Sequence, residues 1–370
     1  MRAEGPDHTT AHPARRPGIR DVAAHVGLSV STVSRALNGY ADVNAETRRK
    51  VQEAAETLGY RASFAAATLC SSQTQTVTFM VSKPWTKFVD PFFLGLLDGV
   101  ELVLQAKGYD LQVVMARDFD KEIDVIRRAV ERNRCDGLLF GRTRPKDERV
   151  DYLQERGFPF VTIGQTLRND HDWIDRDHAA IARMATERLI RLGHTRIGYL
   201  STPHRYTYSL HGLGGYRAAL EAAGLAHDPA LEIECYLSRR TGGEALTQLV
   251  TTGSTPSAIV CGNDMIALSA MEAMQALGLE PGRDIAVIGC DDMPAAATAR
   301  PPLTTFSQDL DAIGMRMARM MLAKLGGETG MLQELAESRL VVRESDMPPG
   351  RPAPDPTLRD MPRHESHGIT

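Results

Sequence analysis

Three side chains near the start of a short amphipathic segment are of the types that read DNA bases. Val30, Ser31 and Arg35 fall within two helical turns of one another. A guanidinium can donate two hydrogen bonds to O6 and N7 of guanine, which discriminates against other bases by about 1–3 kcal/mol. A serine hydroxyl can bond to base edges, and valine can contact the methyl group of thymine. This set predicts recognition of base edges in a DNA duplex.

Polar side chains around the same segment are suited to phosphate contacts, which position a protein on DNA without reading its sequence. The candidates are Thr32, Ser34, Asn38, Asn44 and Thr47, together with Ser29 at the start of the segment. Taken one at a time, each of these residues is better explained as a solvated surface group. Only a shared frame of helices makes them an interface.

Three short helices between Ile19 and Leu58 must provide that frame. Apolar residues recur at i, i+3, i+4 and i+7 in the first and the third of them. Gly27 ends the first helix, Ser29 caps the second, and Asn44 caps the third. Because only two residues separate the first helix from the cap of the second, the pattern predicts a helix-turn-helix.

The rest of the chain has a different period, in which short apolar runs alternate with amphipathic helices. This pattern predicts parallel sheets that are covered on both faces, and about seven runs favour two doubly wound sheets over one. Ligands of such sheets bind beyond the carboxyl ends of the strands. The runs are Val77–Val81, Leu111–Met115, Gly137–Phe140, Phe160–Ile163, Ile197–Leu200, Ala258–Cys261 and Ile285–Cys290.

Composition excludes several other classes. The 370 residues are 42% hydrophobic and 24% charged, which predicts two or three ordinary globular domains. Five scattered cysteines without a C-x-x-C pair argue against a disulfide framework and against a zinc site. The polar N-terminus does not resemble a signal peptide, and no apolar run is long enough to span a membrane, so we expect a cytoplasmic protein. No catalytic constellation, metal site or cofactor loop is apparent, which predicts that the protein is not an enzyme.

The net charge is small but unevenly distributed along the chain. Residues 1–75 carry nine basic and seven acidic side chains, a net charge of +2. The whole chain has a net charge of −4, so the remainder carries −6. This asymmetry indicates a basic head on an acidic body, although it would not identify a nucleic-acid-binding protein by itself.

The segment from Ile19 to Asn38, IRDVAAHVGLSVSTVSRALN, closely resembles the DNA-binding head of the LacI/GalR family of bacterial repressors. Further blocks resemble the family in the same order as far as Ser345. They are Val43–Val51, Leu58–Tyr60, Asp90–Phe93, Gly262–Leu268, Asp284–Asp292, Arg300–Thr305 and Leu340–Ser345. A match to the helix-turn-helix alone would be weak, whereas this ordered set is highly specific.

The resemblance implies an N-terminal all-α helix-turn-helix head and an α/β body of two doubly wound parallel-sheet subdomains, similar to periplasmic binding proteins. The expected divisions are a disordered arm (1–17), the DNA-binding head (18–62), a hinge helix and linker (63–75), the effector-binding and dimerisation body (76–345) and a disordered tail (346–370). Within the body, the N-subdomain is expected at about 76–175 and 306–336, and the C-subdomain at about 176–305 and 337–345.

The resemblance also implies a hinge leucine, Leu69, that inserts into the DNA minor groove. The alternative for Leu69 is a linker residue that packs on the body. Ala62 stands where the family often has proline, and Ala67 where arginine or glutamine is common. These departures predict weaker operator affinity or relaxed preference at the flanking bases. Asp42, before the third helix, is expected to be an unfavourable charge near DNA.

Matching onto the family's ligand cleft gives Phe92 and Phe93 as a stacking wall. It gives Asn263 and Asp291 as hydrogen-bonding groups and places Gln308 near the crossover between subdomains. Such a set suits a polyhydroxyl ligand, because aromatic faces stack on sugar rings while carboxylate and amide groups bond to hydroxyls.

A second departure concerns the cleft. Gly212 stands where many relatives carry an arginine, so Arg142 is expected to supply that charge, with Arg144 or Arg205 as alternatives. Asp292, next to the predicted ligand residue Asp291, is expected to be a solvated turn residue.

The resulting expectation is a homodimeric repressor, associated with the bacterial nucleoid, that binds a palindromic operator and is released by a small sugar, without cofactor, metal or membrane. The chain beyond Ser345 is proline-rich and polar and lacks a leucine heptad, which predicts a dimer rather than a tetramer. A nucleoside effector or a corepressor is the alternative within this class. A sugar-transport receptor is the alternative from another class, and the DNA-binding head argues against it.

Overall fold

The computed structural model describes residues 17–37, 39–40, 42–60, 73–82, 91–116, 121–236 and 239–349. The chain separates into two compact units, Met1–Thr74 and Gln75–Thr370. Asn38, Leu69, Ala62 and Ala67 lie outside the described residues. The predicted hinge helix, nearly all of the predicted N-terminal arm and most of the predicted tail also lie outside them.

The first unit contains the three predicted helices, α1 (Ile19–Val26), α2 (Val30–Leu37) and α3 (Ala45–Leu58). The predicted caps are confirmed. The Asn44 side chain accepts a hydrogen bond from the Thr47 N–H at 2.7 Å, and the Ser29 hydroxyl accepts one from the Thr32 N–H at 3.1 Å. Gly27 ends α1 with φ at 69°, a left-handed conformation that glycine adopts at little cost.

One small core holds these helices together. Each helix contributes apolar side chains to it, and the buried members are Val22, Ala23, Val33, Ala36, Val51, Ala54 and Ala55. Because Val33 and Ala36 anchor one face of α2, the opposite face of that helix is directed to solvent.

The second unit is built from twelve strands and nine helices among the described residues, and it confirms the predicted α/β class. The strands are β1 (Thr76–Ser82), β2 (Asp110–Ala116), β3 (Gly137–Gly141), β4 (Phe160–Ile163), β5 (Trp173–Arg176), β6 (Ile197–Ser201), β7 (Glu232–Glu234), β8 (Ala258–Cys261), β9 (Ala286–Ile288), β10 (Thr305–Ser307), β11 (Gln333–Ala336) and β12 (Arg339–Val341). The helices are α4 (Pro91–Gln105), α5 (Glu122–Glu131), α6 (Glu148–Glu155), α7 (His178–Arg191), α8 (Thr207–Ala222), α9 (Arg239–Thr251), α10 (Asp264–Ala276), α11 (Pro294–Thr298) and α12 (Leu310–Leu325).

The strands form two parallel sheets and one short antiparallel pair. One sheet has six strands in the order β11-β5-β4-β3-β1-β2, and the other has four in the order β7-β6-β8-β9. Strands β10 and β12 pair with each other in antiparallel fashion. The chain passes between the two sheets after β5, before α12 and after β11, so loops from both sheets meet at a cleft within this unit.

Helices cover both faces of each sheet, as the near-continuous apolar strands predict. Helices α4 and α12 pack against one face of the six-stranded sheet, and α5 and α6 cover the other. A Cβ atom at Gly99 would lie 2.1 Å from the carbonyl oxygen of Asp311, so only glycine lets α4 approach α12 this closely. This packing fixes α4, whose first turn carries Phe92 and Phe93.

The structure differs from the prediction in two respects. All seven predicted strands are present, but five short strands, β5, β7, β10, β11 and β12, lack an apolar run in the sequence. Strand β2 is an edge strand, and its Val113 and Met115 are exposed rather than covered. Its apolar sequence therefore misled the expectation of burial on both faces.

Candidate nucleic-acid interface and ligand cleft

The solvent-facing side of α2 carries the predicted base-reading residues. Val30, Ser31 and Arg35 are all exposed. Val30 lies outside the small core and is 42% exposed to solvent. Their common face is the one that a recognition helix presents to the major groove. Their role in reading bases stays a prediction, which this exposure supports.

Four of the predicted phosphate-binding residues, Ser29, Thr32, Asn44 and Thr47, lie at helix starts, whereas Ser34 is half-buried in the middle of α2. Ser29, Ser31 and Thr32 form a hydroxyl network, with 2.8 Å from the Ser29 oxygen to each of the other two. Asn44 is exposed and Thr47 is half-buried at the first turn of α3. Helix N-termini present unsatisfied N–H groups and a partial positive charge, both of which favour a phosphate.

Arg35 has two neighbours within the same unit. Its Nη2 atom donates to the Oδ2 atom of Asp42 in a close ion pair, and its guanidinium carbon lies 5.5 Å from the centre of the Tyr40 ring. The expectation that Asp42 is merely an unfavourable charge is therefore corrected. Its carboxylate is bound to the predicted base-reading arginine.

The second unit contains a cleft between the carboxyl ends of its two sheets. The cavity encloses about 810 Å³, including its open mouth, which is within the range of small-molecule sites. Five of the six predicted effector residues line it: Phe92, Phe93, Arg142, Asn263 and Asp291. The sixth, Gln308, lines an adjoining cavity with Phe92 and Asp291 and donates to the Oδ1 atom of Asp291 at 3.1 Å.

The two predicted stacking residues are arranged edge to face, with ring centres 5.4 Å apart. Phe93 is 5% exposed and belongs to the core beneath the cleft, whereas Phe92 is half-buried at the surface of the cleft. Guanidinium groups lie over both rings, Arg142 over Phe93 at 5.2 Å and Arg176 over Phe92 at 5.7 Å. The wall is therefore made of aromatic rings and arginine planes together.

Arg176 is the main cleft residue that the sequence analysis missed. It is 8% exposed at the end of β5, and its Nη2 atom lies 3.2 Å from the Oδ1 atom of Asp291, beyond the end of β9. Its Nη1 atom also donates to the Cys290 sulfur at 3.3 Å. Because β5 and β9 belong to different sheets, this ion pair joins the two sides of the cleft.

A second hydrogen-bonded pair, Asp175 and His178, lies next to the first. The Oδ1 atom of Asp175 is 3.2 Å from His178 Nε2 and 2.8 Å from the Arg176 N–H. Burial opposes ionisation of Asp175, but its contacts with His178 and Arg176 lower the pKa of the carboxyl below its ordinary value. Burial also lowers the pKa of His178. At neutral pH the cleft therefore combines a neutral imidazole with two carboxylates and two guanidinium groups.

Asn263 both caps a helix and faces the cleft. Its side-chain oxygen accepts a hydrogen bond from the Ile266 N–H at 2.8 Å and so fixes the start of α10. The capping bond orients the amide group, and the amide nitrogen is the part that can donate to a ligand. The hydroxyl groups of Thr202 and Tyr208 line the same cavity.

The packing around position 212 explains why this residue is a glycine. A Cβ atom at this position would lie 2.5 Å from the Tyr199 hydroxyl, so the tyrosine occupies the space that a longer side chain would need. Of the three arginines considered in its place, Arg142 lines the cleft, whereas Arg144 pairs with Glu122 at 2.8 Å and Arg205 is exposed outside the lining.

The expectation for Asp292 is wrong. Its Oδ1 atom accepts a hydrogen bond from Arg343 Nη2 at 2.6 Å, and the aspartate is only 25% exposed. This hydrogen bond connects the turn after β9 to the last part of the unit. The Asp292 side chain therefore bonds to protein, whereas it was expected to face solvent. This turn is also unusual in its backbone, since φ is 127° at Asp291 and 53° at Asp292.

Asp264 lies behind Asn263, fully buried, and accepts hydrogen bonds from the Thr305 hydroxyl at 2.5 Å and the Met293 N–H at 2.8 Å. Burial raises the pKa of Asp264 to about 6. Because the folded state then binds a proton more tightly than the unfolded state does, the stabilisation is complete at low pH and is lost as the pH rises through 6.

The raised pKa of Asp264 predicts a pH-dependent difference in the free energy of unfolding between the native chain and the variant Asp264→Asn, whose amide side chain cannot ionise. From about pH 4.5 to about pH 7, the free energy of unfolding of the native chain should fall by about 2 kcal/mol relative to that of the variant. Urea unfolding of both proteins at the two pH values measures the change. A difference that is the same at both values would contradict a raised pKa.

The described ranges exclude two other kinds of site. No group of three or more His, Cys, Asp or Glu side chains within them is placed to hold a metal ion. The same ranges contain no helix with the length and apolar character needed to cross a membrane.

Comparisons with known proteins find similar sequences for both units, and the same relatives match across both. The sequence profile described as "Bacterial regulatory proteins, lacI family" matches residues 18–63, and that of a "Periplasmic binding protein-like domain" matches residues 186–345. The HTH-type transcriptional regulator CelR of Thermobifida fusca is 33% identical over 336 residues, which are 90% of this chain and 98% of CelR.

Two solved structures have similar folds. A transcriptional regulator CelR–cellobiose complex has a TM-score of 0.69 and 31% identity, and the match covers 89% of this chain and 100% of that one. A lac repressor dimer bound to operator and the anti-inducer ONPF has a TM-score of 0.79 and 25% identity, over 90% of this chain and 100% of that one. The similarity therefore extends across both units.

Proposed function

We propose that this chain, which belongs to the lacI family of bacterial regulatory proteins, represses transcription as a homodimer on a palindromic operator and is released by a small neutral carbohydrate. Its relatives are transcriptional regulators, so the chain is a regulator and not an enzyme. The proposal concerns what it binds and how binding is controlled.

The observation that carries the sugar proposal is the charge balance of the cleft. Two guanidinium groups, Arg142 and Arg176, are matched by two carboxylates, Asp175 and Asp291, and the imidazole of His178 is neutral at pH 7. Because these charges already balance, a ligand with a net charge would bring a buried charge that has no partner, which is costly. A neutral ligand with many hydroxyl groups can bond to all of them without that cost.

The shape of the cleft supports the same class. Phe92 offers an aromatic surface for the apolar face of a sugar ring, and Thr202, Tyr208 and Asn263 add neutral hydrogen-bonding groups. The solved CelR relative is a complex with cellobiose, which makes a disaccharide the first ligand to test. A nucleoside is the second candidate, because its base could stack on Phe92.

The DNA proposal follows from the exposed face of α2 and from symmetry. Two identical heads in a homodimer need two equivalent half-sites, so the operator is expected to be palindromic. Release by sugar requires that the ligand bind the released state more tightly than the DNA-bound state. Contacts across the cleft, such as Arg176–Asp291, give the ligand a conformation-dependent set of partners.

A thermal-shift experiment on the full-length protein tests the ligand class. Cellobiose at a hundredfold excess over its dissociation constant would stabilise the folded state by about 2.7 kcal/mol and raise the melting temperature by several degrees. Other neutral disaccharides, glucose, glucose 6-phosphate and adenosine form the comparison set. A shift with at least one neutral sugar and none with the phosphate is expected. A shift with only the phosphate or the nucleoside would contradict the proposal.

A further inference from the structure

We propose that Asp42 is a positioning residue for base recognition, which holds the Arg35 guanidinium in place and lowers the affinity of the head for DNA of any sequence. This inference rests on the proposed DNA-binding function. It gives Asp42 two effects of opposite sign, and those two effects can be measured separately.

The geometry leaves Arg35 held but available. Asp42 accepts from Nη2, Tyr40 lies beneath the guanidinium carbon at 5.5 Å, and the Arg35 side chain is still 52% exposed. A guanidinium has five N–H donors in a rigid fork, so one carboxylate contact leaves enough donors to bind two acceptors of a guanine. A free arginine loses considerable side-chain entropy when it is fixed on a base, and an arginine that is already held loses less.

Three other acidic side chains of the head have different partners. Asp21 accepts from the Gly18 N–H at 2.7 Å, Glu46 pairs with Lys50, and Glu53 pairs with Arg49, the last two along α3. Asp42, by contrast, is paired with Arg35 on the solvent-facing side of α2. Its position therefore distinguishes it from a general surface charge.

The charge balance explains the second effect. The predicted head, residues 18–62, carries six basic side chains (Arg20, Arg35, Arg48, Arg49, Lys50 and Arg61) and five acidic ones (Asp21, Asp42, Glu46, Glu53 and Glu56), a net charge of only +1. Sequence-independent DNA binding depends on the positive charge that reaches the phosphates. Asp42 cancels the charge of Arg35 at the interface itself, so the arginine contributes little until it meets a base that accepts its hydrogen bonds.

The test compares Asp42→Asn with Glu53→Gln, which removes one negative charge elsewhere in the head. Each full-length protein is used to select sequences from a random duplex library, and binding to random duplex is measured by fluorescence anisotropy at several salt concentrations. For Asp42→Asn we expect affinity for random duplex to rise about threefold, while preference at one G·C pair per half-site falls by about three- to tenfold. Glu53→Gln should leave the preference unchanged.

A third variant isolates the arginine. In the Arg35→Ala background, Asp42→Asn should no longer alter base preference, because there is no guanidinium to hold. An unchanged preference in Asp42→Asn itself would overturn the inference and leave Asp42 as a repulsive charge only. Equal losses of preference in Asp42→Asn and Glu53→Gln would also overturn it. If the native protein selects no sequence from the library, it is the proposed function that fails.

Discussion

Replacing Asp291 by alanine is expected to give a protein that still binds operator DNA but is no longer released by sugar. The Asp291 carboxylate bonds to both Arg176 and Gln308 at the edge of the cleft. Its loss removes an ionic acceptor for sugar hydroxyls and leaves Arg176 without its ionic partner across the cleft. Loss of a hydrogen bond to a charged group typically costs about 1.5–3 kcal/mol, which is about tenfold or more in sugar affinity.

Asp284→Ala is the matched control. Asp284 precedes the amino-terminal end of β9, whereas Asp291 follows the carboxyl-terminal end of the same strand, where the cleft lies. Operator binding is titrated with the sugar for the native chain and for both variants, and circular dichroism checks that each is folded. Asp284→Ala should be released like the native chain. Full release of Asp291→Ala at the native sugar concentration would show that Asp291 does not take part in induction.

Arg35→Ala is expected to have the largest effect on DNA recognition. A guanidinium–guanine contact discriminates by about 1–3 kcal/mol, and the proposed dimer would make two of them. Specific affinity should therefore fall by about 2–6 kcal/mol, roughly thirtyfold at the least. Preference should be lost at one base pair in each half-site. Sequencing of duplexes selected by the variant measures that preference at every position.

Thr47→Ala provides the contrast, because Thr47 lies at the first turn of α3, where phosphate contacts are expected. This variant should weaken binding to all sequences about equally and leave the selected motif intact. If Arg35→Ala weakens binding with the motif unchanged, Arg35 acts on phosphates, and the base-reading assignment is wrong.

The helices of the head could be predicted almost to the residue because their signals are local. Gly27 and Asn44 mark the end of one helix and the start of another through backbone conformation and side-chain capping, which depend on adjacent residues only. The pairing of Arg35 with Asp42 could not be predicted in this way, since it depends on how the turn before α3 folds back toward α2.

The cleft shows the same division between local and non-local information. Family resemblance brought Phe92, Asn263 and Asp291 together correctly, because those residues lie within recognisable blocks. Arg176 was missed because β5 has only four residues and ends in two charged side chains, so no apolar run marks it as a strand. Its burial arises from a pairing with Asp291, 115 positions away along the chain.

Gly212 and Asp292 illustrate why the surroundings of a side chain are difficult to predict from sequence. The glycine implied only a missing arginine, but the Tyr199 hydroxyl from β6 occupies the space that a side chain at this position would need. The aspartate implied solvent, but Arg343 reaches it from the last part of the unit. The decisive neighbours lie on other elements, 13 and 51 positions away along the chain, where no local pattern indicates them.

The account is tested most directly by the release of DNA by sugar. A fluorescent palindromic duplex, selected by the full-length protein from a random library, is bound at fixed protein concentration and titrated with the sugar that gives the largest thermal shift. The account predicts that anisotropy falls to the value of free DNA, with a midpoint near the sugar's dissociation constant, and that glucose 6-phosphate has no effect. Anisotropy that stays constant or rises with every neutral sugar would contradict the account.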